Sequence, residues 1–205
     1  MSLAVLMSCQ ASDNMTVSEP IKLETKQEQP QQPSKQHIKE VKQTTTAPKE
    51  PTVVHIPTGI VPERIVIPSI QVDASVSSVG LLEDGAVDVP EETDITGWFE
   101  PGAKPGAYGN AVIVGHVDSY KGPAVFFHLK KLKPGDEILL YGEHDSTPLR
   151  FVVTEKKAYP YDQAPISHIF GYTPKQQLNL ITCTGFYDRK TNTHLERLVV
   201  TAELK

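Results

Sequence analysis

From Ile56 onward the sequence consists of short apolar runs rich in β-branched residues, separated by proline and glycine. Such runs are typical of strands joined by turns. Seven or so strands in this stretch predict an all-β fold with short helices, either a barrel or a sandwich. The candidate strands are 64–74, 76–80, 111–116, 137–141, 150–158, 178–183 and 197–204, and the candidate helices are 124–130 and 165–170.

The first candidate strand changes the parity of its apolar positions. Ile65 and Ile67 share one parity, whereas Ile70 and Val72 share the other. The change falls at Pro68, and a proline inside a strand favours a bulge or bend. We therefore expect the strand to bend at this point.

The N-terminal part of the chain has a different composition. All 14 aromatic residues lie between Trp98 and Tyr187, and residues 10–55 are rich in Gln, Lys, Glu, Thr, Ser and Pro. Such a segment buries too little apolar surface to offset the entropy of ordering it. We expect a leader-like segment at 1–9, a disordered polar tether at 10–58 and a folded domain at 59–205.

The residues that precede the tether read Leu-Ala-Val-Leu-Met-Ser-Cys at 3–9. This run resembles the end of a bacterial lipoprotein signal, in which Cys9 would be lipidated. The apolar run is short and no basic residue precedes it, so an incidental cysteine is the alternative.

Charge and motifs exclude several functions. The net charge of −5 disfavours a nucleic-acid partner. The sequence contains no Cys-x-x-Cys pair, no His-x-x-x-His pair and no phosphate-binding loop. No apolar run is long enough for a transmembrane helix. We expect neither a metal nor a cofactor.

Cys183 is the single cysteine of the predicted domain and ends the run Leu-Asn-Leu-Ile-Thr-Cys at 178–183. Strand alternation places Cys183 opposite in parity to Leu178 and Leu180, and it places Arg197 opposite to Leu198. If the two strands pair, Cys183 and Arg197 share the less apolar face. A lone cysteine is more often a small buried apolar residue than a nucleophile.

His116 ends the apolar run 111–115 and is followed by Val117-Asp118-Ser119. A histidine at the end of a strand faces a loop, where it can exchange protons with a nearby thiol. The other histidines, His194 among them, have no comparable context. Trp98 is more simply explained as a core residue than as a ligand-binding one.

These motifs together resemble the sortases, which are bacterial cysteine transpeptidases with a closed β-barrel. The motifs are Gly-His-Val-Asp at 115–118, Asn-Leu-Ile-Thr-Cys at 179–183 and Glu-Arg-Leu-Val-Val-Thr-Ala at 196–202. Asn179 stands where many members have threonine. Three further segments look most like class F sortases: 97–99, 122–127 and 132–138.

The resemblance implies a barrel of about seven to eight strands and a role for each site residue. Cys183 would attack a peptide carbonyl, His116 would transfer protons, and Arg197 would bind the substrate or the oxyanion. Thr182 would contribute a substrate contact. Asp118 would either orient His116 or cap a turn.

The resemblance also implies substrates and a location. The substrates would be a Leu-Pro-x-Thr-Gly-like sorting signal of secreted proteins and an amine such as a cell-wall precursor, or water. The enzyme would act at the outer face of the membrane of a Gram-positive bacterium, attached through its N-terminus. Two alternatives remain: another cysteine peptidase, and an envelope-anchored binding module with a non-catalytic cysteine.

Overall fold

The computed structural model describes residues 56–191 and 193–205, which form an eight-stranded closed barrel. Neighbouring barrel strands run in the order β1, β2, β3, β4, β9, β10, β8, β7. A separate two-stranded hairpin, β5 with β6, lies between β4 and β7 in the sequence. The strands are β1 (Pro62–Ile67), β2 (Val72–Val79), β3 (Thr96–Phe99), β4 (Gly109–Val114), β5 (Asp118–Ser119), β6 (Gly122–Pro123), β7 (Glu137–Gly142), β8 (Leu149–Pro160), β9 (Gln176–Asp188) and β10 (Thr193–Leu204).

Helix is confined to short pieces. One α-helix, α1, spans Ile166–Phe170, and 3₁₀ turns span Pro68–Ile70 and Leu129–Lys131. The predicted helix at 165–170 is therefore confirmed, whereas only the end of the predicted 124–130 helix is helical. None of the helices in the described part of the chain has the length and apolarity that crossing a bilayer requires.

The expected bend at Pro68 is a complete chain reversal. The 3₁₀ turn Pro68–Ile70 and Gln71, at φ 57°, join β1 to β2, and the two strands pair antiparallel with Ile67 opposite Val72. The prediction of a single bent strand was wrong. The parity change has a simple explanation, since both strands of the hairpin direct their apolar residues into the barrel.

The barrel interior is filled by alternating side chains. Ile65, Ile67, Leu178, Leu180 and Val200 are fully buried in one apolar cluster. Each such side chain contributes about 1.5–3 kcal/mol when it is removed from water. Trp98, on β3, also lies in this cluster with 2% of its surface exposed, which confirms its assignment to the core.

The outer face of the barrel is covered where β4 and β9 run side by side. These strands pair in parallel, with Val114 level with Ile181. A second cluster of Val79, Val112 and Val114 packs there, with Phe170 of α1 against it. The packing fixes the end of β4 against the middle of β9, and the candidate site lies just beyond this contact.

Candidate active site

Cys183 and Arg197 lie directly opposite each other on β9 and β10. The strand order brings these two strands together as an antiparallel pair. Residues opposite each other in an antiparallel ladder project to the same face. The structure thus brings together the two residues that alternation placed on one face.

His116 is brought to the same end of the barrel by the parallel pair β4 and β9. Val114, level with Ile181, is the last residue of β4 in this ladder, and His116 follows Val114 by two residues, as Cys183 follows Ile181. The backbone N–H of Gly115 donates to the carbonyl of Ile181 at 3.1 Å. His116 therefore comes directly after Gly115, whose backbone is hydrogen-bonded to β9, the strand that carries Cys183.

Thr182 strengthens the connection between these two strands. Its Oγ1 donates to the carbonyl of Gly115 at 2.7 Å, and the residue is buried. The bond joins the residue before the cysteine to the residue before the histidine. In this structure Thr182 thus supports the geometry of the site, and its Oγ1 also lies beside a cavity.

The imidazole of His116 is held by a backbone carbonyl of the segment before β3. Its Nε2 lies 2.7 Å from the carbonyl oxygen of Pro90. A carbonyl only accepts hydrogen bonds, so Nε2 carries the hydrogen and Nδ1 is the nitrogen left for proton exchange. Among the described residues no hydrogen bond joins His116 to Cys183.

The guanidinium of Arg197 is held by the start of its own strand. Its Nη1 donates to the carbonyls of His194 and Glu196 at 2.9 and 3.1 Å, and its Nη2 donates to Thr193 Oγ1 at 3.2 Å. Its Cζ lies 5.8 Å from the centre of the Tyr161 ring. In the described part of the chain Arg197 makes no ion pair with a carboxylate, so its charge is not neutralised by one.

A cavity of about 170 Å³ opens at Cys183. Its wall combines the middle of β9, the first half of β10 and the segment that follows His116. The wall includes Asp118, Phe126, Phe127, Lys130, Thr182, Cys183, Thr184, His194 and Leu198. A small groove with the thiol at its wall suits a peptide main chain better than a bulky ligand.

The surroundings of the Cys183 thiol favour its protonated form. Burial raises the pKa of Cys183 above its ordinary value, the Arg197 guanidinium opposes that rise, and the Asp118 carboxylate adds to it. Burial is the largest of these causes. The nucleophile must therefore be activated by a base or by substrate binding.

Asp118 contacts a histidine other than the predicted one. Its Oδ1 lies 3.3 Å from Nε2 of His194, on β10, and not against His116. His194 was missed in the sequence because no neighbouring motif distinguishes it. It lines the cavity because β9 has one extra residue at a bulge, where Gly185 has φ 77°.

Two further expectations fall outside the described residues. Cys9, with its possible lipidation, and nearly all of the predicted tether lie in the part of the chain before Ile56. The described 56–58 segment precedes β1 and has no regular secondary structure.

Comparisons with known proteins agree with this architecture. Residues 65–205 match the family described as Sortase: Sortase domain. The chain is similar to the crystal structure of sortase C-1 from Actinomyces oris, at 23% identity and a TM-score of 0.55, over 69% of this chain and 72% of that one. A search of curated proteins gave no significant match.

Two more solved structures show the same fold. Sortase A from Corynebacterium diphtheriae is 23% identical with a TM-score of 0.53, over 69% of this chain and 59% of that one. Sortase C from Clostridium perfringens SM101 is 26% identical with a TM-score of 0.50, over 73% and 72%. The resemblance to class F stays a prediction, since these relatives belong to classes A and C. The match over residues 65–205 shows that the chain belongs to the sortase family, the cysteine transpeptidases.

Proposed function

We propose that this sortase cleaves a Leu-Pro-x-Thr-Gly-like sorting signal between Thr and Gly and transfers the acyl group to an amine. The observation that carries the proposal is the pairing of Cys183, which lines a cavity, with Arg197 directly opposite on the neighbouring strand. His116 follows β4, the strand that pairs with β9 just before the cysteine, and neither His116 nor Arg197 is among the residues that line the cavity. A thiol, a proton carrier and a fixed cation are the groups that acyl transfer from a peptide requires.

The first half of the reaction forms a thioester. The Sγ of Cys183 attacks the carbonyl carbon of Thr, and the bond from that carbon to the Gly nitrogen breaks. Nδ1 of His116 takes the thiol proton as the sulfur attacks and then gives that proton to the leaving amine. Arg197 donates to the oxyanion or to the adjoining main chain.

The second half restores the thiol. An incoming amine attacks the thioester carbon and its proton passes to His116. The bond from that carbon to Cys183 Sγ breaks, and His116 returns the proton to the sulfur. Water in place of the amine gives hydrolysis. The two outcomes share every protein group and differ in the second nucleophile.

The proposal also covers location and partners. We propose that the acceptor is an amine of a cell-wall precursor and that the substrates are secreted proteins of a Gram-positive bacterium. The tether at 10–58 would let the domain act near the membrane, with Cys9 as a lipid attachment point. These points rest on the family and on the composition of the N-terminal segment.

Mass spectrometry of a Leu-Pro-x-Thr-Gly peptide, incubated with the full chain with and without an amine, tests the proposal. Cleavage between Thr and Gly is expected, together with an amine adduct when the acceptor is present. Cys183→Ala should abolish both products, whereas Cys9→Ser should leave both unchanged in solution. Cleavage by Cys183→Ala would overturn the proposal.

A further inference from the structure

His194 occupies a position at the Cys183 cavity that the proposed reaction does not use. Its side chain is 15% exposed, and its ring packs edge-on against Tyr187 with the centroids 5.2 Å apart. Nε2 faces Asp118 Oδ1 and Nδ1 faces the carbonyl oxygen of Gly185, both at 3.3 Å. The ring is therefore held on both edges.

Both partners of the ring are hydrogen-bond acceptors. A carboxylate and a carbonyl accept but do not donate, so the doubly protonated ring satisfies both contacts while a neutral ring satisfies one. In its charged form the ring places a cation against the Asp118 carboxylate. This contact is charge-assisted and directional.

The contact joins two parts of the site that come from distant parts of the sequence. Asp118 begins β5, two residues after His116, and its carboxylate is half-exposed. The carbonyl of His194 accepts a hydrogen bond from Arg197. One histidine thus connects the loop that follows the proton carrier with the guanidinium on β10.

We propose that His194 and Asp118 are a positioning pair, which fixes the His116 loop against the strand that bears Arg197 and keeps the Asp118 carboxylate directed at the Cys183 cavity. The inference rests on the proposed function for its kinetic part. Its geometric part stands on the two ring contacts alone.

The charged groups around the thiol and the ring determine which electrostatic interactions each substitution removes. Arg197 faces the thiol from the opposite strand, and Asp118 reaches it from β5. The remaining titratable groups near the cavity or the ring are His116, Lys130, Tyr187 and Glu196. Substitution of Asp118 or His194 leaves all of these in place.

The kinetic test compares His194→Ala, Asp118→Ala and the double variant. Each single change should lower kcat for peptide cleavage about tenfold with KM within about twofold, because the proton carrier is displaced while the groove remains. The kcat of the double variant should be no lower than that of the more impaired single variant. His194→Gln and Asp118→Asn should have a higher kcat than the corresponding alanine variants, since an amide can still form a hydrogen bond between the two side chains.

A second readout does not depend on catalysis. In a Cys9→Ser background, iodoacetamide labels Cys183 alone, and the pH midpoint of labelling reports the thiol. Asp118→Ala should lower this midpoint, because a carboxylate that disfavours the thiolate is removed. His194→Ala should also change this midpoint, since both the position of the carboxylate and its shielding from the thiol depend on the ring.

The exposed pair His144 and Glu143 serves as the matched control. Its atoms are 3.5 Å apart, it lies between β7 and β8, and it is not part of the cavity wall. His144→Ala should leave kcat and the labelling midpoint unchanged. Thermal unfolding of every variant separates a positioning effect from a loss of fold.

The outcomes distinguish this inference from the proposed function. If the parent chain cleaves no peptide but both variants shift the labelling midpoint, the proposed function fails and the pair stands. If His194→Ala keeps the parent kcat and midpoint, the positioning pair is overturned whatever the chain cleaves.

Discussion

The central residue-scale feature is a buried thiol facing a cation on the neighbouring strand. Burial disfavours the Cys183 thiolate, and Arg197 opposes that effect. The same guanidinium has donors that can turn from its own backbone to a substrate oxygen. In the proposed reaction, one arginine would act on both the nucleophile and the carbonyl it attacks.

Arg197→Ala should reduce kcat/KM for peptide cleavage about a hundredfold or more, since one oxyanion donor is worth about 2.7–4 kcal/mol. Arg197→Lys should restore little of the lost kcat/KM, because an ammonium lacks the planar fork of donors. Steady-state kinetics check both. Arg150→Ala is the control, since Arg150 pairs with Glu137 on the surface at 3.0 Å. Near-normal rates in Arg197→Ala would remove Arg197 from the mechanism.

The pH dependence of thiol labelling tests the electrostatics directly. Burial raises the Cys183 pKa, so the pH midpoint of labelling in the native chain should lie above that in denaturant. An unfolded chain has a thiol pKa of about 8.5. Arg197→Ala should move the native midpoint higher still, because the cation that favours the thiolate is lost. Labelling with iodoacetamide in the Cys9→Ser background measures this. A native midpoint below the denatured one would contradict the account.

At the element scale, pairing and register assemble the site from separate segments. Alternation along 178–183 and 197–204 predicted the shared face of Cys183 and Arg197, since a period of two is visible in sequence. The pairing of β9 with β4 is not local, so the nearness of His116 came from the family resemblance. His194 was missed because its direction depends on a bulge that no residue pattern marks.

Two elements were misread for local reasons. β3, at Thr96–Phe99, has only four residues and follows an acidic segment, so it was not predicted as a strand. The 3₁₀ turn at Pro68–Ile70 was read as a bend because both flanking strands are apolar. Short strands and turns whose partners are distant in the sequence show too little residue pattern to be predicted.

Asn179 stands where many sortases have threonine, and its hydrogen bonds connect α1 to the barrel. It is 3% exposed, donates to Asn110 Oδ1 at 3.2 Å and to the Ile169 carbonyl at 2.8 Å, and accepts from Thr201 Oγ1 at 2.8 Å. A threonine is too short to satisfy all three partners.

Asn179→Thr should therefore lower the free energy of unfolding by about 1–3 kcal/mol, because buried polar partners lose their bonds. Urea unfolding measures it. The control is Thr154→Val, whose exposed Oγ1 donates to the carbonyl of Thr201 at 3.2 Å, and it should change stability by less than about 0.5 kcal/mol. Equal stability of Asn179→Thr and the parent would show that the network contributes nothing.

At the scale of the whole molecule, the closed barrel leaves its strands no free edges and places three functional segments at one end. The middle of β9 supplies the thiol, the first half of β10 the arginine, and the loop after β4 the histidine. A rigid scaffold with the reacting groups at one end suits a reaction in which two substrates arrive in turn.

The central claim is that Cys183 carries the acyl group between those substrates. Intact mass spectrometry of the full chain, quenched in acid after mixing with a Leu-Pro-x-Thr-Gly peptide, measures that group directly. The account predicts an added Leu-Pro-x-Thr acyl group, located on the proteolytic fragment that contains Cys183 and discharged by an amine. Cleavage of the peptide that persists in Cys183→Ala, with no acyl group on Cys183 in the parent, would contradict it.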